Sequence, residues 1–451
     1  MKTENYLIVG AGRSGIAAGR MLLQLDKNFT IYDGNNSLDT KSVANQISDK
    51  KDIPFILGDV TADELRSFDI CVVSPGVPLD TPIMTAVKEA GIPVYSEIEL
   101  AYLYDKGEII AITGTNGKTT TTSLVYEIMR AHDSDTLLVG NIEIPYTGLA
   151  LTSKQGGATV AEISSFQLET MITFKPKVSA ILNITPDHLD RHKTMENYAD
   201  IKKSIAKNQT KDDFCVLNYE DEVLREFGES LGCKVIFFSS LRELSDGYFY
   251  KDGTIYFAEN GNATAYIDVS ETNLVGLHNY ENIMAAVAMT TSFGVSEETI
   301  KSALRRFTAV EHRIEYVATK KGVRYYNDSK GTNTDAAIKA IDAMSSKTVL
   351  IGGGYDKDAD FSEWVSHFPD KVRKLILIGQ TKEKIASACD AIGFSDYCFA
   401  EDLKEAVDIC YKNAQEGDCC LLSPACASWG MFKCYQQRGE MFKEYVKALE
   451  E

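Results

Sequence analysis

Residues 109–122 read IIAITGTNGKTTTT: an apolar strand, a glycine-rich turn, a lysine and a run of threonines. This order constrains the fold more than any other stretch. A buried strand that turns through glycines into a helix is the repeating piece of a parallel α/β sheet. The same order suits a phosphate chain. The turn offers backbone N–H groups, Lys118 a point charge, and the hydroxyls a place beside magnesium, all at the positive end of the helix. The full pattern has a glycine two positions before Gly114. Ile112 stands there instead, so the loop is a shortened relative.

A chain of 451 residues exceeds the size of most single cores, so two or three domains are expected. Its 47 basic and 65 acidic side chains give a formal charge of −18, which argues against a broad nucleic-acid surface. A locally basic pocket for a small anion stays compatible with that balance. No apolar run has the length of a membrane span. The N terminus runs straight into a strand, so no signal peptide is expected. The ten cysteines are scattered and form no CxxC pair. They read as reduced thiols of a cytoplasmic protein. Cys426 is the exception, because Ser423, Pro424 and Ser428 beside it look like site residues.

The patterning divides into three α/β stretches. In the first, strands at Tyr6 to Val9, Phe29 to Tyr32, near Phe55, at Ile70 to Val73 and at Val94 alternate with helical segments. The second begins with Ile109 to Thr113. It continues through strands at Thr159 to Ile163, Val178 to Asn183, Phe214 to Leu217 and Lys234 to Phe238. From Tyr248 to Val269 the period changes. Asp252-Gly253 and Asn260-Gly261 favour tight hairpins, so a small antiparallel patch is expected there. Asn279 to Thr291 and Ser296 to Ala303 read as helices, the latter capped by Ser296. A third stretch starts near Ala309, with strands at Val323 to Asn327, Thr348 to Gly354, Leu375 to Ile378 and Cys420 to Leu422. A terminal helix runs from Phe442. The expected domains are 1–98, 99–307 and 308–451.

Gly10-Ala11-Gly12-Arg13-Ser14-Gly15 matches a dinucleotide-binding turn, and Asp33 ends the next strand where a carboxylate can bond a ribose. The glycines say only that something approaches the backbone at a helix start. NAD, FAD or the diphosphate of another nucleotide all fit. Ser74-Pro75-Gly76 ends a later strand and lines the same crevice.

Four further segments carry chemistry. Ala161-Glu162-Ile163-Ser164-Ser165-Phe166-Gln167-Leu168 puts a carboxylate at a strand end, where sites of parallel sheets form. Residues 183–192 read NITPDHLDRH. Residues 276–282 read GLHNYEN. His312-Arg313 is followed by NDSKGTN at 327–333. With GTNGKTT these segments resemble the Mur ligase family, ATP-dependent amide-bond formers, and LLSPACASW at 421–429 resembles its D-glutamate-adding branch. The resemblance covers essentially the whole chain. It implies a Rossmann-like domain for a UDP-sugar, a central P-loop ATPase-like domain and a mobile Rossmann-like C-terminal domain for an amino acid. The substrates it implies are UDP-N-acetylmuramoyl-L-alanine and D-glutamate, with ATP and two magnesium ions. It implies a cytoplasmic monomer and makes nicotinamide binding unnecessary.

Carried over motif by motif, the resemblance gives each position a role. Gly114, Thr115, Asn116, Gly117, Lys118, Thr119 and Thr120 hold ATP phosphates, with Lys118 on the β- and γ-phosphates. Thr119, Glu162 and His188 hold magnesium. Lys202, four residues after Tyr198, is the position that the family N-carbamylates, with Lys203 as the alternative in register; a carbamate can hold magnesium, where an ammonium repels it. Asn279 and Asn282 meet the nucleotide base and nearby groups, Arg313 the adenine or ribose side, and Asp328 the ribose. Arg13, Ser14, Asp33 and Ser74 line the UDP end. Asn141 lines the sugar-nucleotide channel and the reaction centre. Lys330, Thr332, Lys357, Ser428, Trp429 and Tyr435 face the incoming amino acid. Trp429 and Tyr435 depart from the family pattern, where leucine and phenylalanine are common. After Asp33, Gly34-Asn35 replaces a segment that often holds an arginine. Asn183 and Arg191 read equally well as structural supports. The rival readings are another Mur ligase or a folylpolyglutamate synthase-like enzyme, a nicotinamide oxidoreductase, and a non-catalytic nucleotide-binding regulator.

Overall fold

In the computed structural model of the chain, residues 4–49, 52–142, 144–308 and 311–450 are described. The near-continuous apolar runs form three sheets in chain order, as strands covered by helices on both faces do. The first holds β1 (Asn5–Val9), β2 (Asn28–Asp33), β3 (Phe55–Leu57), β4 (Ile70–Val73) and β5 (Val94–Ser96). All pairs are parallel, in the order β3-β2-β1-β4-β5. The order reverses between β1 and β4. Strand ends at such a reversal leave a crevice, and Gly10 and Ser74 follow those two strands.

The second sheet holds β6 (Glu108–Thr113), β7 (Leu137–Gly140), β8 (Ala158–Glu162), β9 (Val178–Ile181), β10 (Phe214–Asn218), β11 (Lys234–Ser239), β12 (Gly247–Lys251), β13 (Thr254–Glu259) and β14 (Asn262–Asp268). Its order is β14-β13-β12-β11-β10-β9-β6-β8-β7. The antiparallel patch falls where the sequence puts it, in β12 to β14. Asp252 and Asn260 take positive φ (48° and 50°) beside Gly253 and Gly261, the conformation that a two-residue hairpin needs. Strand β7 was not anticipated. It is four residues long, half-buried and at the sheet edge, so its pattern is too short to read.

Two buried carboxylates fasten the first sheet to the second. On the helix Glu97–Tyr102, Glu99 accepts the backbone N–H groups of Ile172, Thr173 and Phe174. Glu97 accepts the backbone N–H and hydroxyl of Thr147, each at 2.6 Å. Hydrogen bonds to a charged acceptor contribute about 1.5–3 kcal/mol each; at Glu97 burial still wins and holds the carboxyl above the usual carboxylate range, with the Thr147 bonds pulling the other way.

The third sheet holds β15 (Glu315–Lys320), β16 (Val323–Asn327), β17 (Thr348–Gly352), β18 (Val372–Leu377), β19 (Tyr397–Phe399) and β20 (Cys419–Leu422) in the order β15-β16-β20-β17-β18-β19. Its core packs Trp364, Phe368, Leu375 and Leu377, all fully buried. Strand β15 is absent from the sequence reading. It pairs antiparallel with β16 through a Lys321-Gly322 turn with both φ positive, and most of its side chains stay in contact with solvent. The last helix runs Tyr435–Lys447 and so begins seven residues before the expected start, placing Tyr435 in its first turn.

By packing, the chain forms two compact units, Met1–Asp268 with Glu281–Leu304, and Val269–Tyr280 with Arg305–Glu451. The first contains the first two sheets and the second contains the third. Among the described residues no helix is long and apolar enough to cross a membrane.

Candidate active site

In the first unit, the turn after β1 is closed by Ser74, whose hydroxyl donates to Gly10 O at 3.2 Å. Gly10 has φ +101°, and a Cβ there would meet Ser74 Oγ at 2.9 Å. A Cβ at Gly15 would lie 2.0 Å from Gly10 O, so the helix packs directly on the turn. Asp33 accepts from the Ala11 N–H with one oxygen and from Asn35 N–H with the other. It therefore braces the glycine turn as well as ending β2. Arg13 is exposed and Ser14 half-buried at the start of the helix Arg13–Gln24.

The loop after β6 is held from beneath. Asn183, which follows β9, accepts from Asn116 N–H at 2.8 Å and donates to Asn116 O at 3.1 Å. Thr115 donates to Thr185 O and accepts from Thr185 N–H. Gly114 and Gly117 take φ +148° and +85°, which L side chains rarely adopt. The loop opens into the helix Lys118–His132, whose Thr119–Thr122 side chains are all buried. Thr121 donates to Asn282 Oδ1 at 3.1 Å, and a Cβ on Gly117 would lie 2.4 Å from that oxygen. Asn282 thus reads as a wall of the loop.

Lys118 and Lys202 meet at one carbonyl. Lys118 Nζ donates to Gly114 O and Thr115 O at 2.8 Å each, and Lys202 Nζ donates to Gly114 O at 2.9 Å. Lys202 is fully buried over the Tyr198 ring. Burial first, and the Lys118 charge second, push its pKa well below the lysine range. Lys203 instead reaches Asp200 and lies over the Phe227 ring.

Glu162 ends β8 beside Ile112 in the ladder. Its Oε1 accepts from Asn141 Nδ2 at 2.7 Å, and its Oε2 is buried with no hydrogen-bond partner among the described residues. An orphaned carboxylate oxygen at this depth is costly unless a cation meets it. A carboxylate oxygen is the hard donor that magnesium takes, and the Thr119 hydroxyl at the helix start is another of the same chemistry.

The segment 187–192 gathers around Phe166. His188 lies against that ring at 4.9 Å and beside Asp187, with its side chain partly exposed. Arg191 stacks over the ring at 4.2 Å, and His192 stacks on it at 5.4 Å. Arg191 also pairs with Glu169 and donates to Pro75 O and Val77 O. Arg191 and Asn183 are therefore structural supports in this fold. Phe166 and Glu169 were given no role in the sequence because neither residue type marks which side chains it will pack against or pair with once folded.

In the second unit, Asn279 is turned inward and donates to Val275 O. His278 is pushed down to about 3 by burial, and further by the Lys339 and Arg313 cations. Asp328 is fully buried, and Ser423 Oγ donates to its carboxylate at 2.7 Å. The expected ribose contact is thus turned inward here. Burial pushes its pKa up to about 6, against the pull of Arg313. The native state favours the protonated carboxyl, so Asp328 contributes stability at low pH that is lost as pH rises through about 6. Asp328→Asn is expected to flatten that loss in urea midpoints measured across pH. An unchanged slope would refute the assignment.

The positions expected around the amino acid form two cation–aromatic pairs. Lys330 Nζ lies 5.4 Å from the Tyr435 ring centre, and Lys357 Nζ 5.5 Å from that of Trp429. Trp429 is 55% exposed and meets Tyr355 edge-on. Ser428 is buried, and Thr332 lies in the turn after Lys330. Two lysines and a hydroxyl on loops at strand ends suit a dicarboxylate. The residue that ties these loops together was missed. Arg438 is fully buried and donates to Ser329 Oγ, Ser329 O and Cys426 O at 2.9, 2.8 and 3.2 Å. Its signal in the sequence, one arginine in an ordinary helix, is invisible without the fold. Cys426 is packed against Thr381, and burial pushes its thiol up to about 11, so it is not a reactive thiolate.

Glu311, His312 and Glu440 lie close enough to hold a metal ion. The cation already among them is Lys443, which bonds Glu311 and reaches Glu440 at 2.9 Å and Glu315 at 3.4 Å.

Three α/β sheets in chain order, the second and largest carrying the glycine-rich turn and Lys118, are the organisation of a three-domain ATP-dependent ligase. Residues 4–96 match the N-terminal domain of MurD-like Mur ligases, 112–290 the Mur ligase middle domain, and 312–426 the Mur ligase glutamate ligase domain. The chain belongs to the Mur ligase family and is an ATP-dependent amide ligase of that type. Within the family its sequence affinity is to the UDP-N-acetylmuramoylalanine–D-glutamate ligases. The enzyme of that name from Lachnospira eligens is 52% identical over 100% of both chains, and that from Lachnoclostridium phytofermentans 49% over 99% of both. Among solved structures, the UDP-N-acetylmuramate–alanine ligase of Thermotoga maritima matches with a TM-score of 0.62 and 17% identity over 99% of both chains. A pseudomurein peptide ligase type C of Methanothermus fervidus matches at 0.61 and 14%, also over 99% of both. Those two likenesses carry the fold alone.

Proposed function

We propose that the chain joins D-glutamate to UDP-N-acetylmuramoyl-L-alanine with cleavage of ATP to ADP and phosphate, in the cytoplasm, as a step of peptidoglycan precursor synthesis. The observation that carries this reading is the phosphate loop with two lysines at Gly114 O and the orphaned Glu162 oxygen beside it. Relatives at about half identity over the whole length support the choice of substrates.

The alanyl carboxylate is a poor electrophile because its oxygen leaves badly. Transfer of the γ-phosphoryl of ATP to that oxygen gives an acyl phosphate with a good leaving group. The D-glutamate amine attacks the carbonyl, a tetrahedral intermediate forms, and phosphate departs. The loop N–H groups and Lys118 orient the β- and γ-phosphates and offset charge on the transferring group. Glu162, Thr119 and His188, with Lys202 as its carbamate, would hold magnesium. When bound, that ion supplies Lewis-acid polarisation of phosphoryl oxygens. The neutral amine is the form that adds carbon dioxide, and burial shifts Lys202 towards that form. Asn141 holds Glu162 in place. Residues 1–98 would bind the UDP end, 99–307 ATP, and 308–451 the amino acid, through Lys330, Lys357 and Ser428.

The test is direct. Purified protein, ATP, magnesium and UDP-N-acetylmuramoyl-L-alanine are mixed with D-glutamate, L-lysine or meso-diaminopimelate. Phosphate release with a matching mass increase is expected with D-glutamate alone. Carboxylate oxygen labelled with the heavy isotope is expected to appear in the released phosphate. Turnover with either of the other amino acids, or unlabelled phosphate, would sink the reading.

A further inference from the structure

His312 precedes Arg313 in the chain, and the mechanism above leaves it without a part. We propose that His312 is a positioning residue for the amino-acid substrate. It holds the Lys330 backbone and the Tyr435 end of the last helix in register, in a space that Gly439 leaves for its ring. This rests on the D-glutamate ligase reading.

The backbone around His312 is strained and pinned. His312 has φ +65° and Ile314 +47°, the latter a conformation a β-branched residue rarely adopts. The His312 N–H donates to Glu315 Oε2 at 2.9 Å, and its carbonyl accepts the Lys330 N–H at 3.0 Å. The ring is buried and equally fixed. Asn327 Nδ2 lies 2.9 Å from Nδ1. An amide nitrogen only donates, so Nδ1 accepts and the neutral ring carries its proton on Nε2, which faces Glu440 Oε1 at 3.5 Å. The other face of the arrangement is Gly439. A Cβ there would stand 2.2 Å from Nδ1, which the ring cannot tolerate.

Both members of one substrate-facing pair therefore touch His312. It bonds the backbone of Lys330 and meets the Tyr435 ring edge-on at 6.1 Å. Ser329, between Asn327 and Lys330, closes the loop by donating to Tyr435 O at 2.8 Å and by giving its N–H to Asn327 Oδ1. Glu311, Glu315 and Glu440 stand around the ring, and Lys443 among them offsets part of their charge. A shift of the ring moves Lys330 and Tyr435 together.

Four variants test this in the full-length protein, with KM for D-glutamate, ATP and the UDP-sugar measured alongside kcat. His312→Ala is expected to raise KM for D-glutamate about tenfold, the loss of one good contact, with kcat and the other two KM values within about twofold. His312→Asn is expected to recover most of that loss, because asparagine tolerates positive φ and its oxygen can accept from Asn327. Gly439→Ala, a change that ordinarily stabilises a helix, is expected to reproduce the D-glutamate defect and to lower the thermal midpoint. In the double variant with His312→Ala, the added Cβ is expected to cost nothing more, since the ring it displaces is gone. The inference falls if Gly439→Ala leaves KM for D-glutamate at the native value, if all parameters decline together, or if the two single defects add. A native protein that ignores D-glutamate would overturn the parent reading instead, and the native control separates the two.

Discussion

Lys118→Ala is expected to lower ligase turnover by about 10²–10³-fold or more while the protein stays folded. The size follows from what the side chain does. Its ammonium sits over Gly114 O and Thr115 O, where the glycine turn opens into the helix Lys118–His132. A phosphoryl group in transfer carries charge on three oxygens, and a preformed cation there is worth more than in water. The folding cost is expected to be small, because solvent can replace the ammonium at Gly114 O and Thr115 O, on the order of 1 kcal/mol for each bond. The same change removes the nearby charge that helps depress Lys202, so its pKa should rise. Steady-state phosphate release and a thermal melt measure both halves. Retained turnover would mean that the loop is not the phosphate site, and a large drop in melting temperature would mean that the lysine is structural.

The parallel architecture was legible because buried strands of parallel sheets are written as short apolar runs. Val178 to Ile181, Ile70 to Val73 and Cys419 to Leu422 are all buried on both faces. The hairpin turns were legible because Asp-Gly and Asn-Gly suit positive φ and few other pairs do. Elements on edges were not. Strand β15 is half-exposed and mixed in pattern, and β7 is four residues long, so pairing with a neighbour decides them rather than local propensity. The last helix was read late because Tyr435, Gln436 and Gln437 are polar or amphipathic. Its start is set by the contacts of Tyr435 and Arg438 with the loops beneath.

The candidate site divides in the same way. Residues that belong to a compact motif, such as Gly114 to Thr120, were visible as a string, because phosphate binding needs contiguous backbone. Lys202 was visible only by resemblance, and burial supplies the physical reason it differs from Lys203. The braces were invisible. Phe166 gathers His188, Arg191 and His192, and Glu169 holds Arg191, yet phenylalanine and glutamate at those positions are ordinary residues in any sequence. Asp328 and Asn279 show the reverse. Both stood out in motifs, and in the fold both side chains face inward to Ser423 and Val275.

Arg438→Ala is expected to destabilise the unit containing residues 305–451 by about 3–5 kcal/mol, the cost of removing one partner from a buried charged network. Arg438 is 0% exposed, and burial lowers its pKa to about 10, so the guanidinium is already held at a cost. Three hydrogen bonds offset that cost, two to Ser329 and one to Cys426 O. Truncation leaves both carbonyls and the Ser329 hydroxyl without that donor, leaves Asp328 without one of its two nearby cations, and opens a void the size of the side chain. Arg438→Lys keeps the charge but replaces a planar fork with a point donor that cannot reach Ser329 and Cys426 together, so an intermediate loss is expected. Arg438→Met separates volume from hydrogen bonding, since it fills most of the space and donates nothing. If urea titration found the methionine variant as stable as the native protein, the carbonyl contacts would count for little and packing alone would explain the burial. If instead methionine and alanine are both severely destabilised while lysine recovers part of the loss, the loops that carry Ser329 and Cys426 depend on one buried guanidinium.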